Sequence, residues 1–194
     1  MVYRERDEKI RKSFKEKVAT LPVEALYYFD ESGFDLNASN EYGYANIGER
    51  LSVARSGKRS KRLNVLAARD FNHNLVSPRI YDCTINKELF KAYLKNDLLP
   101  NIPEGSIIIL DNAKFHHDSK AELATDLIET IKDIASKFNV ILLYLPPYSP
   151  DLNPIEKKWA QVKYWYRRLK DRFENKREFL EMLINRKEYA SLID

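Results

Sequence analysis

The feature that most constrains this chain is a proline-rich turn that joins an apolar segment to an amphipathic one, within residues 143–163. Residues 140–145 are apolar and are followed by Pro146 and Pro147. This pattern indicates a buried strand that stops there, because proline cannot donate to a sheet ladder. Residues 148–152 then predict a rigid turn. The segment after the turn is therefore held at a fixed place beside the end of the strand.

That segment has the pattern of a helix start. Asn153 is predicted as the N-cap, Pro154 as the first helical residue and Glu156 as the acid three residues after the cap. Glu156 then has two interpretations, since it either completes a capping box or binds a metal ion. The stretch by itself supports both equally.

Two further acids follow apolar runs of strand length. Asp111 follows residues 106–110, and Asp30 follows residues 25–29. An acid at the end of a hydrophobic strand is costly to bury unless it is paired or binds a cation. Three carboxylates brought together repel one another, and a divalent ion that prefers oxygen ligands, Mg²⁺ or Mn²⁺, relieves the repulsion. Asp30, Asp111 and Glu156 are therefore the candidate metal ligands.

Three motifs together resemble a known family. They are Asp30-Glu31 after an apolar run, LDNAKFH at residues 110–116, and LPPYSPDLNPIE at residues 145–156. They resemble the DDE catalytic domain of bacterial insertion-sequence transposases of the mariner superfamily, over residues 25–168. The resemblance implies an α/β (α+β) chain with an RNase H-like fold of the retroviral-integrase type, in which helices flank a mixed five-stranded sheet.

The resemblance also implies an activity and a cofactor. Asp30, Asp111 and Glu156 would hold two Mg²⁺ or Mn²⁺ ions, and the chain would cut DNA at insertion-sequence ends by hydrolysis and join it to target DNA by transesterification. Asn112 and His116 would lie near this site as supporting residues. His116 either helps to arrange the site or caps the next helix.

The implied partners are double-stranded DNA, as transposon ends and target, and a second copy of the chain in a homodimer. Full-length relatives carry helix-turn-helix modules upstream that are not in this sequence. The chain is therefore expected to be a fragment or the second frame of a split gene, with a separately encoded helix-turn-helix chain as a further partner. One alternative is a non-catalytic fragment that dimerises with a full transposase or regulates it. A less favoured one is an RNase H-like nuclease that acts on branched DNA or RNA hybrids.

Basic residues supply candidate DNA contacts. The formal net charge of +4 permits nucleic-acid binding without requiring it. A basic loop at residues 55–62, with Gly57 at its turn, and the helix face that carries Glu156 both present cations that can neutralise phosphates. The alternative is that both are simply solvated. The candidates are Lys58, Arg59, Lys61, Arg62, Lys163 and Arg167.

The chain is predicted to divide into a linker helix (1–22), the catalytic domain (23–173), and a C-terminal helix and tail (174–194). Further predictions are a turn after Asp30 that uses Gly33, a strand over residues 45–54, and amphipathic helices over residues 86–99 and 120–137. The linker helix is predicted to pack through a stripe of Ile10, Phe14 and Val18.

The single cysteine, Cys83, is predicted as a buried strand residue, and it excludes an internal disulfide. No apolar run approaches the ~20 residues needed to span a membrane, and the charged N-terminus does not have the pattern of a signal peptide. The expected location is cytoplasmic and nucleoid-associated, with no membrane partner.

Overall fold

The computed structural model of the protein describes residues 6–36, 46–49, 61–112 and 129–186. Within these ranges, every helix is too short or too polar to cross a membrane. In chain order the elements are α1 (Glu8–Ala19), β1 (Leu26–Asp35), β2 (Arg62–Arg69), β3 (Leu75–Tyr81), α2 (Lys87–Tyr93), β4 (Ile107–Leu110), α3 (Ile131–Lys137), β5 (Ile141–Tyr144), α4 (Ile155–Leu169) and α5 (Lys176–Ile184).

The strands form one mixed five-stranded sheet in the order β3-β2-β1-β4-β5. β1, β2 and β3 are antiparallel neighbours, whereas β4 runs parallel to β1 and β5 runs parallel to β4. The edge strand β3 tolerates Pro78 because its outer side needs no backbone donor. The predicted mixed five-stranded sheet is confirmed, and its antiparallel strands come first along the chain, followed by a crossover helix and the parallel strands.

The crossover from β3 to β4 is the helix that the sequence predicts over residues 86–99. Asn86 caps α2, and its side chain accepts a hydrogen bond from the Leu89 N–H at 2.9 Å. The helix continues past Tyr93 as one π-helical turn, Leu94–Leu98. The chain thus returns to the middle of the sheet and enters β4 parallel to β1.

Each face of the sheet has its own core, because side chains alternate along a strand. One face is covered by α2 and α3, around Phe29 and Ile108. The opposite face is covered by α4 and α5, around Phe34 and Trp159. α1 packs through Phe14 and Val18 on a third cluster, which includes Ile107 of β4. The side chains at even-numbered positions of β1, such as Phe34, therefore lie on the face of the sheet that α4 covers.

β1 is longer than predicted. It continues through residues 31–33, where the sequence predicts a turn, and it pairs with β2 as far as Asp35. Gly33 makes room for the Arg62 guanidinium group, since a Cβ on Gly33 would lie 2.0 Å from the Arg62 Nε. The turn prediction is wrong because this glycine permits a close approach within a strand.

α1 is a helix as predicted, but its buried side differs from the prediction. Phe14 and Val18 pack on the domain. Ile10 is 51% exposed, whereas Arg11 is 1% exposed. The helix therefore buries Arg11 against the domain and leaves Ile10, the first residue of the predicted apolar stripe, exposed.

Three local predictions are wrong. Residues 46–49 form a turn rather than part of a strand. α3 begins at Ile131 after a capping box between Thr130 and Asp133, so it does not continue from residue 120 as one helix. Cys83 is exposed and lies just after β3. The rest of the predicted strand over 45–54, the predicted loop over 55–60 and residues 120–128 lie outside the described residues.

The packing of α5 generates a stability prediction. Leu183 is fully buried against the core beneath α4, whereas Met182 is 38% exposed. We expect Leu183→Ala to lower the free energy of unfolding by about 2–5 kcal/mol, through lost burial and a cavity. The matched control, Met182→Ala, should cost less than about 1 kcal/mol. Urea denaturation measures both, and equal losses would contradict the placement of α5 in the core.

Candidate active site

The parallel pairing of β1 with β4 brings two candidate acids together. Tyr28 pairs with Ile109, and the same register continued by two residues sets Asp30 level with Asp111. Each acid lies two residues after one of these paired residues. Because side chains alternate along a strand, both acids are on the face of the sheet that carries Tyr28 and Ile109. Two acids that are far apart in sequence thus lie on neighbouring strands.

Asn112 ties this edge of the sheet to the segment that leads into α4. Its Nδ2 donates to the carbonyl oxygen of Leu145. The Leu145 N–H in turn donates to the carbonyl oxygen of Leu110 at 2.9 Å. The residue after Asp111 therefore holds the chain at the start of the proline turn.

The end of that turn is fixed to β1 by Asn153. Asn153 is 4% exposed, and its Nδ2 donates to the carbonyl oxygen of Phe29 at 3.0 Å. The N-cap is Pro154 and α4 begins at Ile155. The Asn153 Oδ1 accepts a hydrogen bond from the Ile155 N–H at 3.4 Å, so Asn153 serves the helix start as predicted but one position earlier than the N-cap itself. Because Phe29 immediately precedes Asp30, the hydrogen bond from Asn153 to Phe29 sets the start of α4 beside the first acid.

Glu156 is an exposed residue in the first turn of α4. It lies beside a buried stripe of this helix, whose members are Ile155, Trp159, Val162, Tyr166 and Leu169. The apolar side of α4 thus fixes the helix on the sheet and leaves Glu156 at its accessible rim.

The pKa of the Asp30 carboxyl group reflects the other two acids near it. Its pKa is raised from 3.8 to about 7. Burial is the largest cause, the negative charge of Glu156 is the second, and the charge of Asp111 also raises the pKa. The backbone N–H of Glu31 opposes them by stabilising the ionised form. The three predicted acids are therefore within electrostatic reach of one another.

Trp159 belongs to the core beneath α4 and is also a neighbour of Asp30. Its indole N–H lowers the pKa of Asp30. The Trp159 Nε1 is buried and has no hydrogen-bond partner of ordinary geometry in the described part of the chain. We therefore treat the contact as a longer-range attraction between the N–H dipole and the carboxylate. A buried indole donor three residues after Glu156 is the sequence signal that indicates such a contact.

The side chains do not surround a single point. Across residues 6–36, 46–49, 61–112 and 129–186, no three His, Cys, Asp or Glu side chains are arranged to hold one metal ion. The donors nevertheless suit a hard divalent cation, because all are carboxylate oxygens, with two beside the paired strands and one on an exposed, rotatable glutamate. The raised pKa of Asp30 marks a concentration of negative charge that a cation would relieve.

One of the predicted DNA contacts, Lys163, lies beside the acids, and two others, Arg62 and Arg167, are its cationic neighbours. Burial lowers the pKa of Lys163, the charges of Glu156 and Asp30 oppose this, and the charges of Arg167 and Arg62 reinforce it. The Lys163 Nζ also lies over the Phe34 ring, 5.8 Å from its centroid. Of the other candidates, Lys61 is exposed immediately before β2, while Lys58, Arg59 and His116 lie outside the described residues.

A second pair of basic residues near α4 was not singled out from the sequence. Lys158 is 7% exposed. Burial and the charge of Arg69, at the end of β2, lower its pKa, whereas Asp70 raises it. No local pattern indicates this pair, because Arg69 and Lys158 are distant in sequence.

The raised pKa of Asp30 predicts a pH-dependent cost of folding. Its folded pKa is about 7, against an ordinary value of 3.8. Between these values the unfolded chain has released the proton and the folded chain retains it, so stability falls as the pH rises through this window. In the presence of a chelator, we expect the free energy of unfolding of Asp30→Asn to exceed that of wild type near pH 8 by at most about 4 kcal/mol. Below pH 4 the variant should have no such advantage in stability.

The control for this experiment is Asp35→Asn, at the exposed end of the same strand. Thermal denaturation as a function of pH, with calorimetric enthalpies, measures all three chains. An Asp30→Asn variant that loses stability at both extremes of pH would contradict the charge crowding inferred around Asp30.

Comparison with known proteins identifies the family of the chain. The family described as DDE superfamily endonuclease matches residues 25–180. No curated protein matches the chain at a significant level.

Solved structures similar to the chain include several of the Mos1 transposase. The Mos1 paired-end complex with left transposon end has a TM-score of 0.65 and 19% identity over 84% of this chain and 51% of that one. The Mos1 mariner paired-end complex with Mn has a TM-score of 0.60 and 19% identity over 95% and 61%. The Mos1 catalytic domain has a TM-score of 0.52 and 19% identity over 95% and 91%.

At these identities the structural likeness establishes the fold, and the predicted RNase H-like architecture is confirmed. The chain spans about half to three fifths of the length of the Mos1 chains in the two paired-end complexes. The family match at residues 25–180 includes all three acids and all five strands. The chain belongs to the DDE superfamily endonuclease family.

Proposed function

We propose that this chain is the catalytic domain of a transposase from the insertion-sequence branch of the mariner superfamily. It would cleave DNA at insertion-sequence ends and join those ends to target DNA. The observation that carries the proposal is the crowding of Asp30 by Glu156 and Asp111 at a family-matched position. A catalytic role would explain why the fold keeps an acid where burial and neighbouring negative charges disfavour its ionised form.

Asp30, Asp111 and Glu156 would hold Mg²⁺ or Mn²⁺, as two ions. Such ions activate the attacking oxygen and stabilise the leaving oxygen of a phosphodiester. Mos1 structures have been solved in complexes with Mg and with Mn, which is consistent with a divalent ion here. The chain itself would contribute the carboxylate oxygens of two acids beside the paired strands and of the rotatable Glu156, and Asp30 would have to release its carboxyl proton before it could serve as a ligand.

The cations beside the acids would hold the DNA strand. Lys163 lies beside Glu156 and Asp30, with Arg62 and Arg167 near it, and we propose that the three neutralise phosphates of a bound strand rather than read bases. Lys58, Arg59 and Lys61 are proposed to extend the same contact. Asn112 and His116 are proposed as supporting residues.

The proposed assembly is a homodimer on double-stranded DNA, with a separately encoded helix-turn-helix chain as a further partner and a cytoplasmic, nucleoid-associated location. The likeness to paired-end complexes supports a DNA-bound assembly. The proposed organisation is a linker helix over 1–22, a catalytic domain over 23–173 and a C-terminal helix and tail over 174–194.

A non-catalytic fragment that dimerises with a full transposase remains the second candidate function. One observation favours it: in the described part of the chain, the carboxylates do not converge on one ligand position. Cleavage by the isolated chain separates the two candidates.

The catalytic proposal predicts the effect of Asp111→Asn. This change preserves size and removes one ligand charge, so we expect loss of Mn²⁺-dependent strand cleavage of insertion-sequence end duplexes by at least about 100-fold, with an unchanged fold by circular dichroism. Asp82→Asn, at an exposed site after β3, is the matched control. Wild-type cleavage by a folded Asp111→Asn variant would contradict the proposed mechanism.

The proposed phosphate contacts predict a change in salt dependence. Each cation lost from a phosphate contact reduces the slope of log K against log salt by about 0.9. We expect Lys163→Gln and Arg167→Gln each to weaken DNA binding and to reduce this slope by about that amount in fluorescence anisotropy titrations. Lys157→Gln, an exposed cation of the same helix, should leave the slope unchanged. Equal slopes for all three variants would contradict the proposed contact surface.

A further inference from the structure

A buried ion pair joins α1 to the turn that precedes α4. The Arg11 Nη1 donates to the Asp151 Oδ1 at 3.1 Å, and the Arg11 Nη2 donates to the Asp151 Oδ2 at 2.7 Å. The Arg11 side chain is 2% exposed, whereas that of Asp151 is 51% exposed. Two parallel hydrogen bonds between planar groups fix orientation as well as distance.

Asp151 belongs to a rigid link that ends at Glu156. It lies in the 3₁₀ turn Pro150–Leu152, which is closed by a hydrogen bond from the Asn153 N–H to the carbonyl oxygen of Pro150 at 2.8 Å. The Glu156 N–H then donates to the carbonyl oxygen of Asn153 at 3.3 Å. Because Pro150 and Pro154 restrict the backbone, a shift of the turn would also move the first turn of α4.

Apolar packing alone does not explain a buried arginine at this position. Phe14 and Val18 already attach α1 to the domain. The Arg11 Nε is buried without a hydrogen bond of ordinary geometry within the described residues, although the Glu8 Oε2 lies 3.4 Å away. Burying a guanidinium group is costly, and an apolar residue of similar size often stabilises such a site equally well. Orientation of the partner is the property that an apolar residue cannot supply.

We propose that Arg11 is a positioning residue for Glu156, acting through Asp151. It fixes the turn from the α1 side while Asn153 fixes it from the β1 side, and the two contacts together set where the Glu156 carboxylate lies. Arg11 stands outside the family-matched residues 25–180, so α1 becomes part of the framework of the active site. The inference rests on the proposed function, in which Glu156 is a metal ligand.

The test is a double-mutant cycle on the full chain with Arg11→Met, Asp151→Asn and the double variant. The control is Lys12→Met, the adjacent residue of α1, whose side chain is 80% exposed. Asp151→Asn keeps its size at a half-exposed site, so it provides a folded variant even where Arg11→Met does not fold. Calorimetric titration with Mn²⁺ alone and hydrogen exchange of individual amides are measured beside the melting temperature.

We expect each single variant to bind Mn²⁺ about tenfold more weakly, as for other changes behind a metal ligand. The double variant should bind about as tightly as Asp151→Asn, because the Arg11–Asp151 pair is missing from both. Only the longer contact of Arg6 with Asp151, at 3.5 Å, is lost with Asp151 and not with Arg11. Exchange should accelerate at the amides of Asn153 and Glu156 while the later amides of α4 keep their protection. Arg11→Lys, which retains the charge but not the fork, should restore part of the affinity.

The outcomes separate this inference from the proposed function. A wild-type chain that binds no Mn²⁺ contradicts the proposed function, and the inference with it. A wild type that binds Mn²⁺, beside single variants that bind it equally well, contradicts the inference alone. Weaker binding accompanied by faster exchange throughout α4 also overturns it, because that pattern reports general destabilisation rather than positioning.

Discussion

The constraint on which the rest of the structure depends is the burial of the Asp30 carboxyl group beside two further acids, at the end of the parallel pair of β1 and β4. Asp30 is held where burial, Glu156 and Asp111 all disfavour its charge, and its pKa reaches about 7. The surrounding fold must supply enough apolar packing to keep the acids in place. The two cores on either side of the sheet do so, and α4 belongs to one of them through its buried stripe.

The acids are positioned by contacts outside the acids themselves. Asn112 fixes the chain before the proline turn, Asn153 fixes the chain after it, and Arg11 holds the turn from α1. Each contact involves a backbone carbonyl or a forked pair, which are geometrically specific partners. Glu156, alone of the three acids, is carried by a helix rather than by a strand or its end, and these contacts attach the start of that helix to the sheet.

The mixed sheet that the family resemblance implies is confirmed, and α4 forms after the proline break as its helical spacing predicts. Asp30, Asp111 and Glu156 are indicated by apolar runs of strand length and by a helix start, and their role as metal ligands stays a prediction. Predictions failed where a distant partner decides the local role. Asn153 is predicted as the N-cap, and its Oδ1 does accept from the Ile155 N–H, yet its Nδ2 bonds to the carbonyl oxygen of Phe29 in β1 and Pro154 takes the N-cap position. Gly33 resembles a turn residue, yet it lies in a strand because residues 31–35 pair with β2, which is distant in sequence. Arg11 was overlooked beside an apolar stripe because its partner, Asp151, is distant in sequence.

The most direct test of a divalent-ion site at Asp30, Asp111 and Glu156 is an anomalous difference map from crystals of the chain soaked in Mn²⁺, collected beside crystals of Asp111→Asn. The account predicts a peak within coordination distance of the Asp30 carboxylate in the wild type, with the Glu156 side chain rotated towards it, and its loss in the variant. A wild-type map with strong peaks elsewhere and none between these carboxylates would contradict the account.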